Sequence, residues 1–352
     1  MIQSGTVGVL FFISLLYGTV KTMAGSQKQK FLALLQILYE QTDEYHPLSA
    51  PQLIELLSEK GVTCERKAIY RDIDSLVDFG FDIMQSTCPP GYFWGRRLFE
   101  MPELRILVDA IKSSEFITEK KTCEMIERLK KLTSVHMAEE LNLMNGIIGR
   151  PKNRNEGIFY TIDSLHNAIC KKRKVHFSYY RHAITGGKIV PRKSHEFTVS
   201  PYALIWNEGK YYLVANYGKY DNFSHYRLDR MRQVEVLNEP ARPLNQFSVY
   251  GDYLDEDDYL KGIFEMYAGN YEDYVYLRCN IGSIEHVVDR FGQDIFCNVY
   301  ASNFFTVRIK ATVNDGLISW ILAQRGGVSV MYPPELAERV KCTLDGMRAQ
   351  YD

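Results

Sequence analysis

Arg66, Lys67, Tyr70 and Arg71 are the side chains best placed for chemistry. Their spacing sets them on the outward side of one helix, with Ala68, Ile69, Ile73, Leu76 and Val77 facing inward. A guanidinium fork binds phosphate oxygens or a guanine edge through two hydrogen bonds, and an ammonium or phenol suits phosphate or base. Cations in the N-terminal half of such a helix are suited to base edges and phosphates in a major groove.

The elements that must position them can be read on either side. Phe31, Leu34, Leu35, Ile37 and Leu38 recur at helical spacing between Gln27 and Gln41. Ser49 offers an N-cap and Pro51 a first-turn residue for a second helix with Leu53, Ile54, Leu56 and Leu57 on one face, stopped by Gly61. Thr63 or Cys64 precedes the third helix, which ends at Gly80. Two helices joined by a short turn, the second opening on basic residues, follow helix-turn-helix grammar. Phe81–Met84 and Tyr92–Trp94 then predict two strands of a wing around Cys88-Pro89-Pro90-Gly91. The charge is awkward, because six basic residues face nine acidic ones between Ser26 and Gly80. Phosphate neutralisation supplies much of DNA affinity, so this head predicts weak binding as a monomer, reinforced by dimerisation and the wing. A solvated surface helix is the plain alternative. The segment resembles the winged helix of the DeoR and WYL regulators, whose recognition helix carries an Arg-Asp-Ile-x-x-Leu run like Arg71-Asp72-Ile73-Asp74-Ser75-Leu76. That resemblance implies double-stranded operator DNA as a partner.

Leu104, Leu107, Val108, Ile111, Met125, Ile126, Leu129 and Leu132 give helical periodicity from Pro102 to Asn145, with Thr118 as an N-cap. Gly149 to Gly157 is the clearest linker. Between Arg150 and Lys193 the balance turns strongly basic, with eleven basic residues against two acidic ones. Ile158–Ile169 reads as an amphipathic helix, followed by Val175–Tyr180, then Lys188–Lys193 across a Gly186-Gly187 turn. Further strands are expected at Glu196–Ile205, Lys210–Tyr217 and His225–Leu228, with Asn207-Glu208-Gly209-Lys210 as a hairpin turn. Short strands at this spacing suggest a small, strongly bent β-barrel, and barrels of this kind bind nucleic acids through basic grooves and stacked rings.

The stretch from Ser200 to Val236, with Tyr211-Tyr212-Leu213 and Arg227-Leu228-Asp229-Arg230, resembles the WYL domain, a ligand-sensing module of bacterial transcription regulators. Tyr211 stands where the family name has tryptophan. The resemblance implies an Sm-like barrel and a ligand surface at Tyr212, Arg227 and Arg230, with His225 and Arg192 as secondary candidates. The implied ligand is a nucleotide or a short single-stranded nucleic acid. Arg227 and Arg230 are three apart and would face opposite sides of a regular strand, so Arg230 is open to a plain salt bridge with Asp229 or Glu235.

Beyond the acidic loop Asp252–Asp258, strands at Tyr274–Cys279, Ile295–Tyr300, Phe304–Ala311 and Val328–Tyr332 alternate with helices at Ile284–Phe291 and Asp315–Gln324, before a last helix from Pro334 to Tyr351. This order is ferredoxin-like. It also resembles the C-terminal WCX extension of WYL regulators in its mid-helix Trp320 and its Pro333-Pro334-Glu335-Leu336 start, which implies a homodimer; a monomeric packing domain is the alternative.

The whole reads as a multidomain α+β chain: an apolar extension at 1–23, a winged helix-turn-helix at 26–97, a helical connector at 98–148, a WYL barrel at 157–240 and a ferredoxin-like domain at 245–352. The net charge of −1 carries no global nucleic-acid signature. Seven scattered cysteines, with no Cys-x-x-Cys pair, argue against structural zinc and a disulfide framework, and for a reducing cytoplasm. The absence of a Gly-rich phosphate loop or nucleophile elbow argues against an enzyme, and no cofactor or metal is expected. Val7–Tyr17 is apolar but lacks a preceding Lys or Arg, and Met23 offers an internal start. A mis-called start, a membrane anchor or cryptic signal, and a packed N-terminal element all remain open there. The functional expectation is a regulator whose sensor domain gates operator binding; the alternative is a basic domain that only adds nonspecific nucleic-acid contacts.

Overall fold

The computed structural model describes residues 27–143, 151–248, 250–251, 253–256, 259–260, 266, 272–301 and 303–352. The apolar run at Val7–Tyr17 lies outside them, as do parts of the Gly149–Gly157 linker and of the acidic loop. The chain divides into two compact units, Met1–Arg154 and Asn155–Asp352. Among the described residues no helix is long and apolar enough to cross a membrane.

The first unit opens with α1 (Gln27–Gln41), α2 (Ala50–Glu59) and α3 (Arg66–Phe79), followed by a hairpin of β1 (Ile83–Thr87) and β2 (Pro90–Trp94). Gln52 accepts the Ser49 backbone N–H at 2.9 Å, and Pro51 occupies the first turn, so α2 starts where its capping residues put it. Gly80 adopts φ +108°, the left-handed conformation that ends α3. Leu34, Leu38, Leu53, Leu57, Ile69 and Leu76 are fully buried and make the core of these elements. The helix α3 begins at Arg66, just after Thr63 and Cys64, with Glu65 as its N-cap. One expectation on α3 needs correction. Val77 is 46% exposed, because it sits one position beyond Leu76 on the turn that rolls away from the core. The hairpin is tied down by Leu48, which exchanges backbone hydrogen bonds with Tyr92 at 2.9 and 2.8 Å. A Cβ on Gly91 would lie 2.8 Å from the Leu48 carbonyl carbon, so the close approach requires glycine.

Next come α4 (Met101–Ser113), α5 (Glu119–Lys130) and α6 (Val135–Leu143). The Thr118 hydroxyl accepts from the Lys121 N–H at 3.3 Å, as its N-cap position predicts. Ser134 donates to Asp43 at 2.5 Å and the Tyr39 hydroxyl to the Leu132 carbonyl at 3.2 Å, fastening this helical segment to α1 and the loop after it.

The second unit begins with α7 (Ile158–Cys170). A five-stranded antiparallel sheet follows: β3 (Arg173–Thr185), β4 (Lys188–Asn207), β5 (Lys210–Asn216), β6 (Ser224–Arg227) and β7 (Met231–Pro240), in spatial order β6-β5-β4-β3-β7. Among the described residues no closed barrel forms, which corrects the sequence expectation: β6 and β7 are the two edges and do not pair with each other. The two expected strands at 188–193 and 196–205 are one long β4, whose register shifts between Pro201 and Ala203. Its first part pairs with β3 and its last part with β5, so the sheet bends strongly without closing. β7 was not anticipated as a strand. Phe177, Leu213 and Leu228 are fully buried on one side of the sheet. Ala203, Ile205 and Val214 pack on the other, with Leu244, Leu254, Tyr259 and Met266.

The chain ends in β8 (Glu272–Asn280), α8 (Ile284–Phe291), β9 (Phe296–Ala301), β10 (Phe304–Thr312), α9 (Asp315–Ala323), β11 (Val328–Tyr332) and α10 (Pro334–Arg348). Its antiparallel sheet runs β11-β8-β10-β9, and the element order is β-α-β-β-α-β plus a final helix. Trp320 packs edge-on against Phe291, with ring centroids 5.2 Å apart.

Candidate functional site

On α3 the candidate residues share one exposed surface. Arg66, Lys67 and Arg71 are exposed and Tyr70 is half-buried. Arg66 Nε donates to the Tyr70 hydroxyl at 2.8 Å, and the Tyr70 ring lies 6.2 Å from that of Tyr92 on β2. Helix and hairpin therefore share a contact through the phenol. Asp72, inside the Arg-Asp-Ile run, turns inward to pair with Lys30 of α1 at 2.8 Å. Its carboxylate is thereby spent within the fold, and among the described residues Lys67 and Arg71 are not ion-paired.

The second candidate surface is built by register. Tyr212 on β5 lies directly across from Arg227 on β6, and Val214 across from His225, so these four residues share one face of the sheet. Arg227 is the last strand residue, because Leu228–Arg230 turns into a 3-10 helix. That turn brings Asp229 back onto Arg227, whose Nε and Nη2 donate to the two carboxylate oxygens at 3.0 and 2.7 Å. The Arg227 backbone N–H donates to the Tyr179 hydroxyl at 3.2 Å. Burial works against the Arg227 charge, but the Asp229 carboxylate outweighs it and holds the pKa above the ordinary value. The Tyr212 phenol is raised by burial, with the Arg227 charge opposing.

Sequence reasoning left the salt bridge to Arg230, and the structure assigns it to Arg227. Arg230 is half-buried, and its Nε is enclosed without a hydrogen-bond partner among the described residues. His225 is not a surface group. It lies under Tyr259, whose hydroxyl is 2.8 Å from Nε2, and burial lowers its pKa to about 4, opposed by a hydrogen bond from the ring to the Met266 backbone carbonyl. Arg192 is exposed, but it lies far along β4 from this cluster, across from Arg181 of β3. Arg232 was missed. Its Nη1 donates to the Asp229 and Met231 carbonyls at 2.7 Å each, and its guanidinium lies 5.8 Å from the Tyr180 ring centroid. Arg232 is the second residue of β7, so nothing marked it before Met231–Pro240 is recognised as a strand.

The geometry suits an anion that can compete with a carboxylate. Arg227 has its fork already filled, with Tyr212 beside it, so a phosphate or carboxylate ligand would take the place of Asp229. Among the described residues no group of His, Cys, Asp and Glu is arranged to hold a metal ion.

Residues 160–236 match the WYL domain, so the sheet and its leading helix form a WYL domain. No curated protein matches the sequence. Among solved structures the chain is similar to proteasome accessory factor B/C of Arthrobacter aurescens, at 14% identity and a TM-score of 0.26, over 96% of this chain and 53% of that one. It is also similar to a CRISPR Cas-related protein, at 10% identity and a TM-score of 0.36, over 64% of this chain and 61% of the other. The chain thus spans about half to three-fifths of the length of these structures.

Proposed function

We propose that this chain is a DNA-binding transcription regulator, not an enzyme, whose WYL domain senses a nucleotide or a short single-stranded nucleic acid and adjusts operator binding. The observation that carries the reading is the WYL domain itself, with its Tyr212–Arg227–Asp229 cluster. The three helices and hairpin of the first unit support a winged-helix head, with Arg66, Lys67, Tyr70 and Arg71 toward duplex DNA. The β-α-β-β-α-β sheet is the WCX-type element and the site of homodimerisation, which suits a two-fold operator. The protein acts in a bacterial cytoplasm.

Gating follows from the filled fork. An anionic ligand draws Arg227 away from Asp229, and coupling of that exchange to DNA affinity must be reciprocal. The test is operator binding, with DNA taken from upstream of the protein's own gene, for wild type, Arg71→Ala and Arg227→Ala, with and without short single-stranded DNA or cyclic dinucleotides. Arg71→Ala is expected to abolish operator binding, while Arg227→Ala retains it and ignores the ligand. A wild type indifferent to every ligand, with Arg227→Ala merely binding DNA more weakly, would reduce the WYL domain to an auxiliary grip.

A further inference from the structure

The basic excess between Arg150 and Lys193 is unevenly used. Lys174 pairs with Glu239 at 2.9 Å and Lys193 with Glu196 at 2.5 Å. Beyond Tyr179, β3 leaves its neighbour β7, and β4 does not meet β5 until Ser200. Between those points the two strands pair only with each other, from Tyr180↔Lys193 to Thr185↔Lys188. At about 3.4 Å per residue the ribbon reaches roughly 20 Å. Gly186 and Gly187, at φ +58° and +74°, close its tip, and a Cβ on either would meet open space.

The register sorts the ribbon into two faces. Arg181, Arg192 and Lys188 share one, all exposed, with Arg181 directly across from Arg192. No acidic residue occurs from 180 to 193, and none of the three cations is ion-paired among the described residues. Like charges directly opposite destabilise a ladder, and a two-stranded ribbon is marginal in water by itself. On the other face Ile184 and Ile189 are paired and exposed to 79% and 75%. An arm with three unneutralised cations on one side is complementary to a polyanion.

We propose that residues 180–193 form an arm that lays its Arg181–Lys188–Arg192 face against a groove of duplex DNA, adding phosphate contacts outside α3. A major groove of about 12 Å admits a two-stranded ribbon. The inference rests on the DNA-binding reading above and deepens it.

The experiment uses the full chain and a duplex carrying the protein's own upstream sequence, titrated across a salt series. Wild type, Arg71→Ala and the triple variant Arg181→Ala/Lys188→Ala/Arg192→Ala are compared, with thermal melting as the check on folding. The triple variant is expected to melt like wild type and to lower the slope of log K against log salt by about two to three, since each phosphate contact contributes about 0.9. If Arg71→Ala weakens binding while the triple variant keeps the wild-type slope, the arm is not a DNA contact, although the regulator reading stands. If wild type binds no duplex, both readings fall. A third variant, Ile184→Ser/Ile189→Ser, separates the other occupant. Should it turn a dimer into a monomer while the triple variant leaves DNA binding unchanged, the arm is a self-association element and the proposal is overturned.

Discussion

The cations of α3 and those at the end of β6 differ in how their charge is held. On α3, Lys67 and Arg71 stand in water and Arg66 bonds only a neighbouring phenol. At the β6 terminus Arg227 is three-quarters buried and both arms of its fork are filled by Asp229. A solvated cation yields a contact that salt weakens and that mutation removes at little cost to the fold. Under the proposed function a buried fork is a two-state element, held either by the internal carboxylate or by an external anion. On that proposal the contrast separates grip from sensing within one chain, using the same residue type.

The largest expected effect that sharpens this contrast lies beside the fork, at His225. Its pKa near 4 in the folded chain lies below the ordinary 6.5, so the unfolded chain binds the proton more readily between those values. Stability is therefore unaffected above pH 6.5 and falls as the pH drops toward 4, by about 3 kcal/mol in full. His225→Gln is expected to remove that slope, read from urea midpoints measured between pH 7.5 and 4.5; an unchanged slope would show that the imidazole is not held neutral. Next in size is Asp229→Ala, which leaves Arg227 desolvated and unpaired. It should cost about 2 kcal/mol in urea unfolding and, in the opposite direction, tighten the binding of short single-stranded DNA. Loss of both stability and ligand binding would mean that the fork is structural only. The smallest effect on the fold is expected for Arg71→Ala, within about 0.5 kcal/mol in urea unfolding, even though it removes operator binding. A loss of stability as large as that of Asp229→Ala would erase the difference between the two regions.

Much of this organisation was legible in the chain. The period of Ile69, Ile73 and Leu76, closed by Gly80, marked α3, and the C-terminal elements follow their apolar alternation closely. What failed did so for physical reasons. β7 buries little besides Met231, so an edge strand with polar residues on both faces shows no period to read. The split assigned within β4 falls at Ser194, where the ladder with β3 shifts register between Tyr179 and Tyr180 without ending the strand. The pairing of Arg227 and Arg230 was argued on a regular strand, whereas the 3-10 turn at Leu228 folds Asp229 back onto Arg227. His225 looked available because the residues that cover it, Tyr259 and Met266, come from a segment without periodic pattern. Strand neighbours and cross-sheet cover depend on contacts far apart in sequence, and the local pattern does not encode them.

Among the described residues the open sheet leaves β6 and β7 as its two borders. A bare border is a template on which another chain can add a strand, the first step toward fibrils. β6 is only four residues long. β7 is broken near Gln233, which takes φ +54° where its register with β3 shifts, and Ser178 donates to the Gln233 side chain at 3.3 Å. Such a bulge twists the border out of line and denies an incoming chain a straight run of donors and acceptors. The consequence expected of straightening β7 at Gln233 is association through that border, a colloidal property that no measurement of ligand or DNA affinity would register.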